Sequence, residues 1–123
     1  MLVEFEKLRQ DKNGYRRLFS DDNCDLYLWY DNKINKKLIG FQIVYKIKME
    51  LKALTWTENE GFFHLGVDEG KNWYAQTPLL VEDGIFEYQM VKELIKNNID
   101  DTNDEDLKFA LVKIRDFGEW KQF

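Results

Sequence analysis

The order of local patterns along the chain constrains the fold most, because strand-like sequence fills the first two-thirds and helical sequence fills the last third. The clearest strand pattern lies in residues 38–48, where apolar side chains occupy every second position: Ile39, Phe41, Ile43, Tyr45 and Ile47. Short links join consecutive strand-like segments and leave no room for helical crossovers, which predicts an antiparallel meander. Strands followed by helices predict an α+β fold, a single domain over residues 1–123 with two C-terminal helices packed on one face of the sheet.

The predicted sheet contains five to seven strands. The strand-like segments are residues 2–9, 15–19, 25–31, 38–48, 50–57, 62–67 and 72–76, followed by an extended segment at 79–81. Asn13-Gly14 lies between the first two segments, and Asn-Gly in such a position is a strong hairpin signal because both residues tolerate positive φ. We therefore expect the meander to begin with a tight turn at Asn13.

Two amphipathic helices are predicted after the strands. The first opens at Asp83-Gly84, and its apolar face at helical spacing consists of Phe86, Met90, Leu94 and Ile95. The second begins with a capping box, in which Glu105 follows Thr102 by three residues. We expect Gly118 to end this helix. Its apolar stripe consists of Leu107, Ala110, Leu111, Ile114 and Phe117.

Composition argues against a membrane or secreted protein. No apolar run approaches the roughly 20 residues of a transmembrane helix, and the N-terminal sequence lacks the basic-then-apolar order of a signal peptide. The single cysteine, Cys24, cannot form an internal disulfide, which is typical of a reducing cytosol. Nearby acids such as Asp25 disfavour its thiolate, so a nucleophilic role is not expected. These features predict a cytoplasmic protein.

The residues available for chemistry exclude several kinds of site. The only histidine, His64, rules out metal centres that need two histidines, and one cysteine rules out a cysteine-rich zinc site. The sequence contains no phosphate-binding loop, dinucleotide fingerprint or nucleophile elbow. The only serine, Ser20, is far from His64 in sequence. We therefore expect no metal and no cofactor, and we favour a non-enzymatic role, with a small enzyme as the alternative.

Charge is distributed unevenly along the chain, whose net charge is −5. Residues 33–52 carry six lysines and one glutamate, whereas residues 82–106 carry nine acids and two lysines. A solvated sheet face and an acidic helix pair explain this pattern most simply, since charge runs usually serve solubility. The acidic total disfavours nucleic acid as a partner, and binding of single-stranded nucleic acid at a basic strip over residues 33–52 is the alternative.

One stretch, residues 53–70, concentrates the residues that could form a polar pocket. His64 lies in a predicted strand, and Asp68 follows in a predicted turn, so the pair could act in acid–base chemistry or ligand binding. Trp56 is another candidate lining residue. The alternative for His64 is a structural hydrogen bond to a strand or a turn, and the alternative for the Asp68-Glu69-Gly70 sequence is a simple turn.

Short sequence words resemble a family of small uncharacterised bacterial proteins over about residues 15–84. In order, they are Phe19-Ser20-Asp21, Asp25-Leu26-Tyr27-Leu28-Trp29, Gly40-Phe41-Gln42, Ala53-Leu54-Thr55-Trp56, Gly61-Phe62-Phe63-His64 and Val67-Asp68-Glu69-Gly70. The resemblance implies no reaction, but it directs attention to five residues as candidates for a polar pocket or a structural network: Trp29, Gln42, Trp56, His64 and Asp68. The chain departs from the family pattern at two positions. Lys46 stands where the family tends to have an acid, and Glu69 replaces a second aspartate.

Two functional hypotheses follow from these patterns. The first is a non-enzymatic binding protein, for instance an acidic immunity-type inhibitor, that meets a protein partner through residues 82–106. The second is a small-ligand-binding domain or small enzyme that uses the His64 and Asp68 pocket. Nineteen aromatic residues imply either a thick core or a contact surface, and exposed ones could also mark a homodimer interface.

Overall fold

A computed structural model of the chain describes residues 2–8, 10, 14–47, 49–67, 80–82 and 86–121. These residues contain seven strands that lie side by side in sequence order, each antiparallel to the next. The strands are β1 (Val3–Phe5), β2 (Tyr15–Ser20), β3 (Cys24–Tyr30), β4 (Leu38–Ile47), β5 (Glu50–Thr57), β6 (Gly61–Val67) and β7 (Leu80–Glu82). The predicted α+β meander is confirmed.

Two helices follow the sheet, α1 (Lys92–Asp101) and α2 (Glu105–Lys121), after a short 3₁₀ helix at Tyr88–Met90. They pack on one face of the sheet and share with it a continuous apolar core, in which the fully buried residues include Leu26, Ile43, Leu54, Ile95, Leu111 and Ile114. Neither α1 nor α2 combines the length and the apolar character that a transmembrane helix requires.

The alternation of side chains divides the central strands between the two faces of the sheet. In β4, Phe41 and Ile43 point to the helices, and Gln42 and Val44 point to the opposite face. On that opposite face, Val44 packs with Ala53 in a second, smaller apolar cluster. Both faces of the central strands therefore hold buried side chains.

β1 is shorter than the predicted strand of residues 2–9, which lengthens the first connection. β1 ends at Phe5 and β2 begins at Tyr15, and their register joins Val3 to Ser20, so the link is longer than a two-residue hairpin. Gln10 replaces part of the missing strand pairing, because its side chain accepts a hydrogen bond from the Arg16 backbone N–H and donates one to the Arg16 carbonyl. Asn13 itself lies outside the described residues.

The start of the first helix also differs from the prediction. Lys92 is the first α-helical residue, whereas Phe86 precedes all helical structure and Met90 belongs to the 3₁₀ helix and is 56% exposed. The apolar spacing suggested one continuous helix, but a change of helical geometry at Val91 turns Met90 away from the core. The predicted opening at 83–84 and the predicted strand at 72–76 lie outside the described residues.

The N-terminus of α2 is capped by Asp104 rather than by Thr102. The Asp104 carboxylate accepts hydrogen bonds from the backbone N–H groups of Asp106 and Leu107. Thr102 lies two residues earlier, and its hydroxyl accepts a hydrogen bond from the Asp104 N–H. The expected capping box is therefore replaced by an aspartate cap, which satisfies two of the backbone donors that every helix start leaves open.

Gly118 lies within α2, which continues to Lys121, so the expected helix end is wrong. The ring of Tyr88 occupies the space that a side chain at position 118 would need. Glycine at this position therefore serves the close approach of the 3₁₀ helix to α2 rather than a helix end, even though glycine is a poor helix former. The predicted stripe of Leu107, Ala110, Leu111 and Ile114 is buried.

Candidate functional site

The strand register separates two of the predicted pocket residues, Trp56 and Gln42. Trp56 lies on the helix side of β5, where its ring stacks on Phe41 with centroids 5.2 Å apart and meets Phe109 of α2 edge to face at 5.7 Å. Gln42 pairs in register with Thr55, the residue before Trp56, and therefore points to the opposite face. A single pocket lined by both Trp56 and Gln42 does not fit this register.

Gln42 is one of the most buried polar side chains of the described part of the molecule, at 2% exposure. Its amide Nε2 donates a hydrogen bond of 3.0 Å to the hydroxyl of Thr55, which is equally buried. A buried amide that lacks a partner destabilises a fold, so this bond has a clear structural role. Gln42 therefore helps to join β4 to β5.

Trp29 lies on the same face as Gln42, and its register partner Gly40 is two residues before Gln42 in β4. Its ring crosses Gly40, so that a side chain at Gly40 would lie 3.1 Å from the indole and 2.8 Å from the Trp56 carbonyl oxygen. The indole thus needs glycine beneath it to lie against the sheet.

His64 is a residue of β6 and pairs with Leu54 of β5. The side chain of His64 and the whole of Asp68 lie outside the described residues. The hypothesis that these two residues form a polar pocket stays a prediction.

The two other nucleophilic residues singled out by the sequence are held in structural roles. Cys24 is 5% exposed, and burial, with smaller contributions from Asp21 and Asp25, raises the pKa of its thiol to about 12. The thiolate is therefore scarce at neutral pH. The Ser20 hydroxyl donates a hydrogen bond of 2.7 Å to the Asp25 carboxylate. Within the described residues, no group of three or more His, Cys, Asp or Glu side chains could hold a metal ion.

A polar cluster that the sequence analysis missed centres on Arg17. Alternation along β2 places Arg17 on the helix side of the sheet, and its side chain is only 17% exposed. The guanidinium forms a bidentate ion pair with Glu4 of β1, in which Nε and Nη2 each lie 2.8 Å from a carboxylate oxygen. It also donates hydrogen bonds to the carboxylate of Asp104, the cap of α2. Arg17 thus connects the edge of the sheet to the first turn of α2.

Tyr30 extends this cluster. Its hydroxyl accepts a hydrogen bond of 3.2 Å from Arg17 and donates one of 2.7 Å to the carboxylate of Asp106. Burial is the main reason that the pKa of Tyr30 is raised, so the phenol remains protonated and keeps its donor. The ring of Tyr15 lies beside that of Tyr30, with centroids 5.5 Å apart.

Charge and hydrogen bonding fix the protonation states in the cluster. The Glu4 contact is the largest cause of a raised pKa for Arg17, which keeps its positive charge. Burial by itself would raise the pKa of Asp104, but the hydrogen bond from Arg17, together with those from the backbone of Leu107 and Asp106, outweighs burial and lowers it. Both groups are therefore charged at neutral pH, as an ion pair requires.

The loop between β3 and β4 completes a cleft above these residues. The Asp31 carboxylate accepts hydrogen bonds from the backbone N–H groups of Asn32 and Lys37, and the Lys36 N–H donates to the Asn32 carbonyl. Lys36 adopts a left-handed conformation with φ of 51°, and its Nζ lies 5.3 Å from the ring centroid of Tyr15. The cleft encloses about 290 Å³ and is lined by Glu4, Tyr15, Arg17, Tyr30, Lys36 and Asp106.

Sequence alone offers little signal for this cluster. The contacts of Arg17 join residues 13 and 87 positions apart in the chain. Arg16 and Arg17 are adjacent, and only the register of β2 shows which of them faces the helices. The position of Arg17 between Tyr15 and Phe19 on one face of the strand is the one available hint, since an inward charge needs a partner.

Exposed carboxylates gather where α1 ends and α2 begins. We call the surface of Asp100, Asp101 and Glu105 the acidic turn; all three side chains are exposed. Among the described residues, none of the three forms an ion pair. A second cleft of about 290 Å³ opens beside Asp100 and Asp101, and its floor includes Asn98, which accepts a hydrogen bond from the Leu2 N–H.

The described lysines of residues 33–52 do not form one strip. Lys36 and Lys37 precede β4, and Lys46 lies near its other end. At about 3.4 Å per residue, the strand separates the two sets by roughly 30 Å. Lys52 is only 16% exposed and lies 3.8 Å from the Glu50 carboxylate. The lysines that the structure describes therefore do not line a continuous basic groove of the kind that single-stranded nucleic acid requires.

Comparison with known proteins gives no relative from which a role could be transferred. No protein-family model matches the chain, and no significant match occurs among curated proteins or among solved structures.

Proposed function

We propose that the protein is a non-enzymatic binding module that docks a positively charged partner protein on the acidic turn. The observation that carries this proposal is the set of three exposed carboxylates, Asp100, Asp101 and Glu105, which have no ion-pair partner among the described residues. Charges left unpaired in one place are available to a partner of opposite charge.

Helix electrostatics argue that the fold itself does not need two of these acids. Asp100 and Asp101 end α1, where the helix dipole already concentrates negative charge, and the last turn of α1 contains no basic residue. An acid at this end costs about 0.3–1 kcal/mol at an exposed site. Two such costs side by side are easier to explain by a surface role than by a contribution to folding.

The net charge of −5 supports the same proposal, because a field of one sign steers an oppositely charged partner and raises its association rate. The alternative hypothesis of a small-ligand pocket draws no support from the register, which separates Gln42 from Trp56. An acidic inhibitor of a basic protein is the concrete form that we favour.

The test measures binding of a lysine-rich peptide with alternating glycines at low salt. The acidic-turn variant is the triple substitution Asp100→Asn, Asp101→Asn and Glu105→Gln. We expect it to bind the peptide several-fold more weakly than the unmodified protein, and we expect affinity to fall as salt rises. Isothermal calorimetry supplies the affinity, and amide chemical shifts supply the location.

A matched control separates a local surface from net charge. Glu6, Asp22 and Glu60 are exposed acids distant in sequence from the acidic turn. The triple substitution Glu6→Gln, Asp22→Asn and Glu60→Gln removes the same charge and should leave affinity within twofold. Equal losses in the two triple variants would mean that only total charge matters, and the acidic turn would then be the wrong surface.

A further inference from the structure

We infer that the cleft over Tyr15 and Tyr30 is the anchor pocket for an arginine side chain of the partner, and that Lys36 occupies this pocket until the arginine displaces it. The inference rests on the proposed function, since it assigns one residue of the basic partner to one site. The cleft is adjacent to the acidic turn in the chain, because Asp106 lines it and Glu105 belongs to that turn.

The cleft already holds a cation of its own. The ammonium of Lys36 lies 5.3 Å from the centroid of the Tyr15 ring, within the distance at which a cation is attracted to an aromatic face. The hydrogen-bonded loop from Asp31 to Lys37 fixes the backbone from which Lys36 reaches this ring. The site therefore shows, with its own side chain, that it accepts a positive group.

Lys36 contacts the Tyr15 ring but leaves part of the hydrogen-bonding capacity of the cleft unused. Within the described structure, Lys36 makes no ion pair, and the carboxylate of Asp106 accepts one side-chain hydrogen bond, through Oδ2 from Tyr30. A carboxylate accepts several hydrogen bonds, so Oδ1 of Asp106 retains capacity for a donor. Glu4, by contrast, already uses both oxygens on Arg17.

Arginine fits this arrangement better than lysine does. A guanidinium is planar, so it can stack on an aromatic ring and donate to a carboxylate at the same time, whereas an ammonium is a compact point charge. Removal of Lys36 from the cleft leaves the charges of Glu4, Asp104 and Asp106 against Arg17 alone. The vacated cleft then has an excess of negative charge that an incoming arginine neutralises.

The experiment compares two tripeptides, acetyl-Gly-Arg-Gly-amide and the same peptide with citrulline, which keeps the shape of arginine without its charge. Amide chemical shifts of the ¹⁵N-labelled protein report both affinity and location. We expect the arginine peptide to bind and to shift residues 15, 30, 36 and 106, and we expect the citrulline peptide to bind at least tenfold more weakly. Equal binding of the two peptides would overturn the inference.

Lys36→Asn tests displacement, because asparagine tolerates the left-handed backbone at this position and carries no charge. It should bind the arginine peptide about two- to fivefold more tightly than the unmodified protein, which corresponds to the loss of one exposed cation–ring contact. Lys33→Asn is the matched control, since Lys33 is exposed in the same loop and does not line the cleft. If both variants gain affinity equally, Lys36 does not occupy the arginine site.

Tyr15 supplies a second test that does not depend on Lys36. Tyr15→Phe keeps the aromatic ring and should bind like the unmodified protein, whereas Tyr15→Leu should lose most of the affinity for the arginine peptide. Failure here, with lysine-rich peptide still bound at the acidic turn, overturns only the anchor pocket. Failure of both peptides to bind at low salt overturns the proposed function as well.

Discussion

The carboxylates at the junction of the two helices form two groups, one bonded to the sheet and one exposed to solvent. Asp104 and Asp106 are half-buried, and each is held by a residue of the sheet, Asp104 by Arg17 and Asp106 by Tyr30. Asp100 and Asp101 lie a few positions earlier, are exposed, and have no ion-pair partner within the described part of the chain. The same residue type thus fastens the fold at one point and faces solvent at the next.

The difference follows from the direction of the two helices relative to the sheet. The first turn of α2 meets the edge formed by β1, β2 and β3, where Arg17 supplies a cation that faces inward. Its open backbone donors and its dipole both favour acids there. The last turn of α1 presents carbonyl groups instead, so acids at that point gain nothing from the helix. Stability measurements can therefore separate the two groups.

Arg17→Met should cause the largest loss of stability. Methionine keeps the apolar stem but leaves Glu4 and Asp104 half-buried without their cation. Breaking a fully buried ion pair costs about 3–5 kcal/mol, and partial exposure of the partners reduces the expected loss here to about 2 kcal/mol. Urea unfolding at neutral pH measures it.

Arg16→Met is the control for Arg17→Met, because Arg16 is the neighbouring residue on the other face of β2. Its expected effect is smaller than that of Arg17→Met, because Arg16 lies on the face of the sheet opposite the helices and cannot join β2 to α2 as Arg17 does. Equal losses for the two variants would show that the cluster around Arg17 does not fasten α2 to the sheet.

Asp104→Asn should cost about 1 kcal/mol, and Asp104→Ala about 2 kcal/mol. Asparagine remains a good helix cap and loses only the charge toward Arg17, whereas alanine loses the cap as well. No loss for Asp104→Asn would mean that the ion pair with Arg17 contributes nothing to stability, and similar losses for both variants would mean the same of the helix cap.

Low pH should remove the contribution of the same ion pair to stability. The pKa of Asp104 is lower in the folded protein than its ordinary value of 3.8, so its contribution is complete above that value and is lost as the pH falls below it. Urea unfolding at several pH values between 5 and 2.5 should show a smaller decline for Asp104→Asn than for the unmodified protein. An identical decline would assign acid sensitivity to other carboxylates.

The sequence predicted the parts of the molecule that depend on local periodicity. The bounds of β5 match the prediction, residues 50–57, because alternation and flanking turns are local properties. The stripe of Leu107, Leu111 and Ile114 was predicted for the same reason. Gln42 pairs with Thr55, and neighbouring residues of a strand point to opposite faces, so Trp56 and Gln42 lie on opposite faces of the sheet.

What the sequence could not predict depends on contacts between distant segments. Gly118 has the local signature of a helix end, and only the ring of Tyr88 explains why α2 passes through it. Met90 has the spacing of a core residue, and only the 3₁₀ geometry turns it to solvent. Arg17 meets Glu4 and Asp104 through the register of the sheet and the placement of α2, and neither leaves a local pattern.

The smallest predicted changes in stability are those of substitutions at Asp101 and Glu105. They give the sharpest comparison, because these two residues lie four positions apart and the predicted changes have opposite signs. Asp101→Asn removes an acid from the carbonyl end of α1 and should stabilise the protein by about 0.3–0.5 kcal/mol. Glu105→Gln removes an acid from the first turn of α2 and should destabilise it by a similar amount. Thermal unfolding at low salt resolves both shifts, and added salt should reduce them together. If Asp101→Asn destabilises the protein instead, Asp101 has a structural role, and its exposure is no longer an argument for a partner.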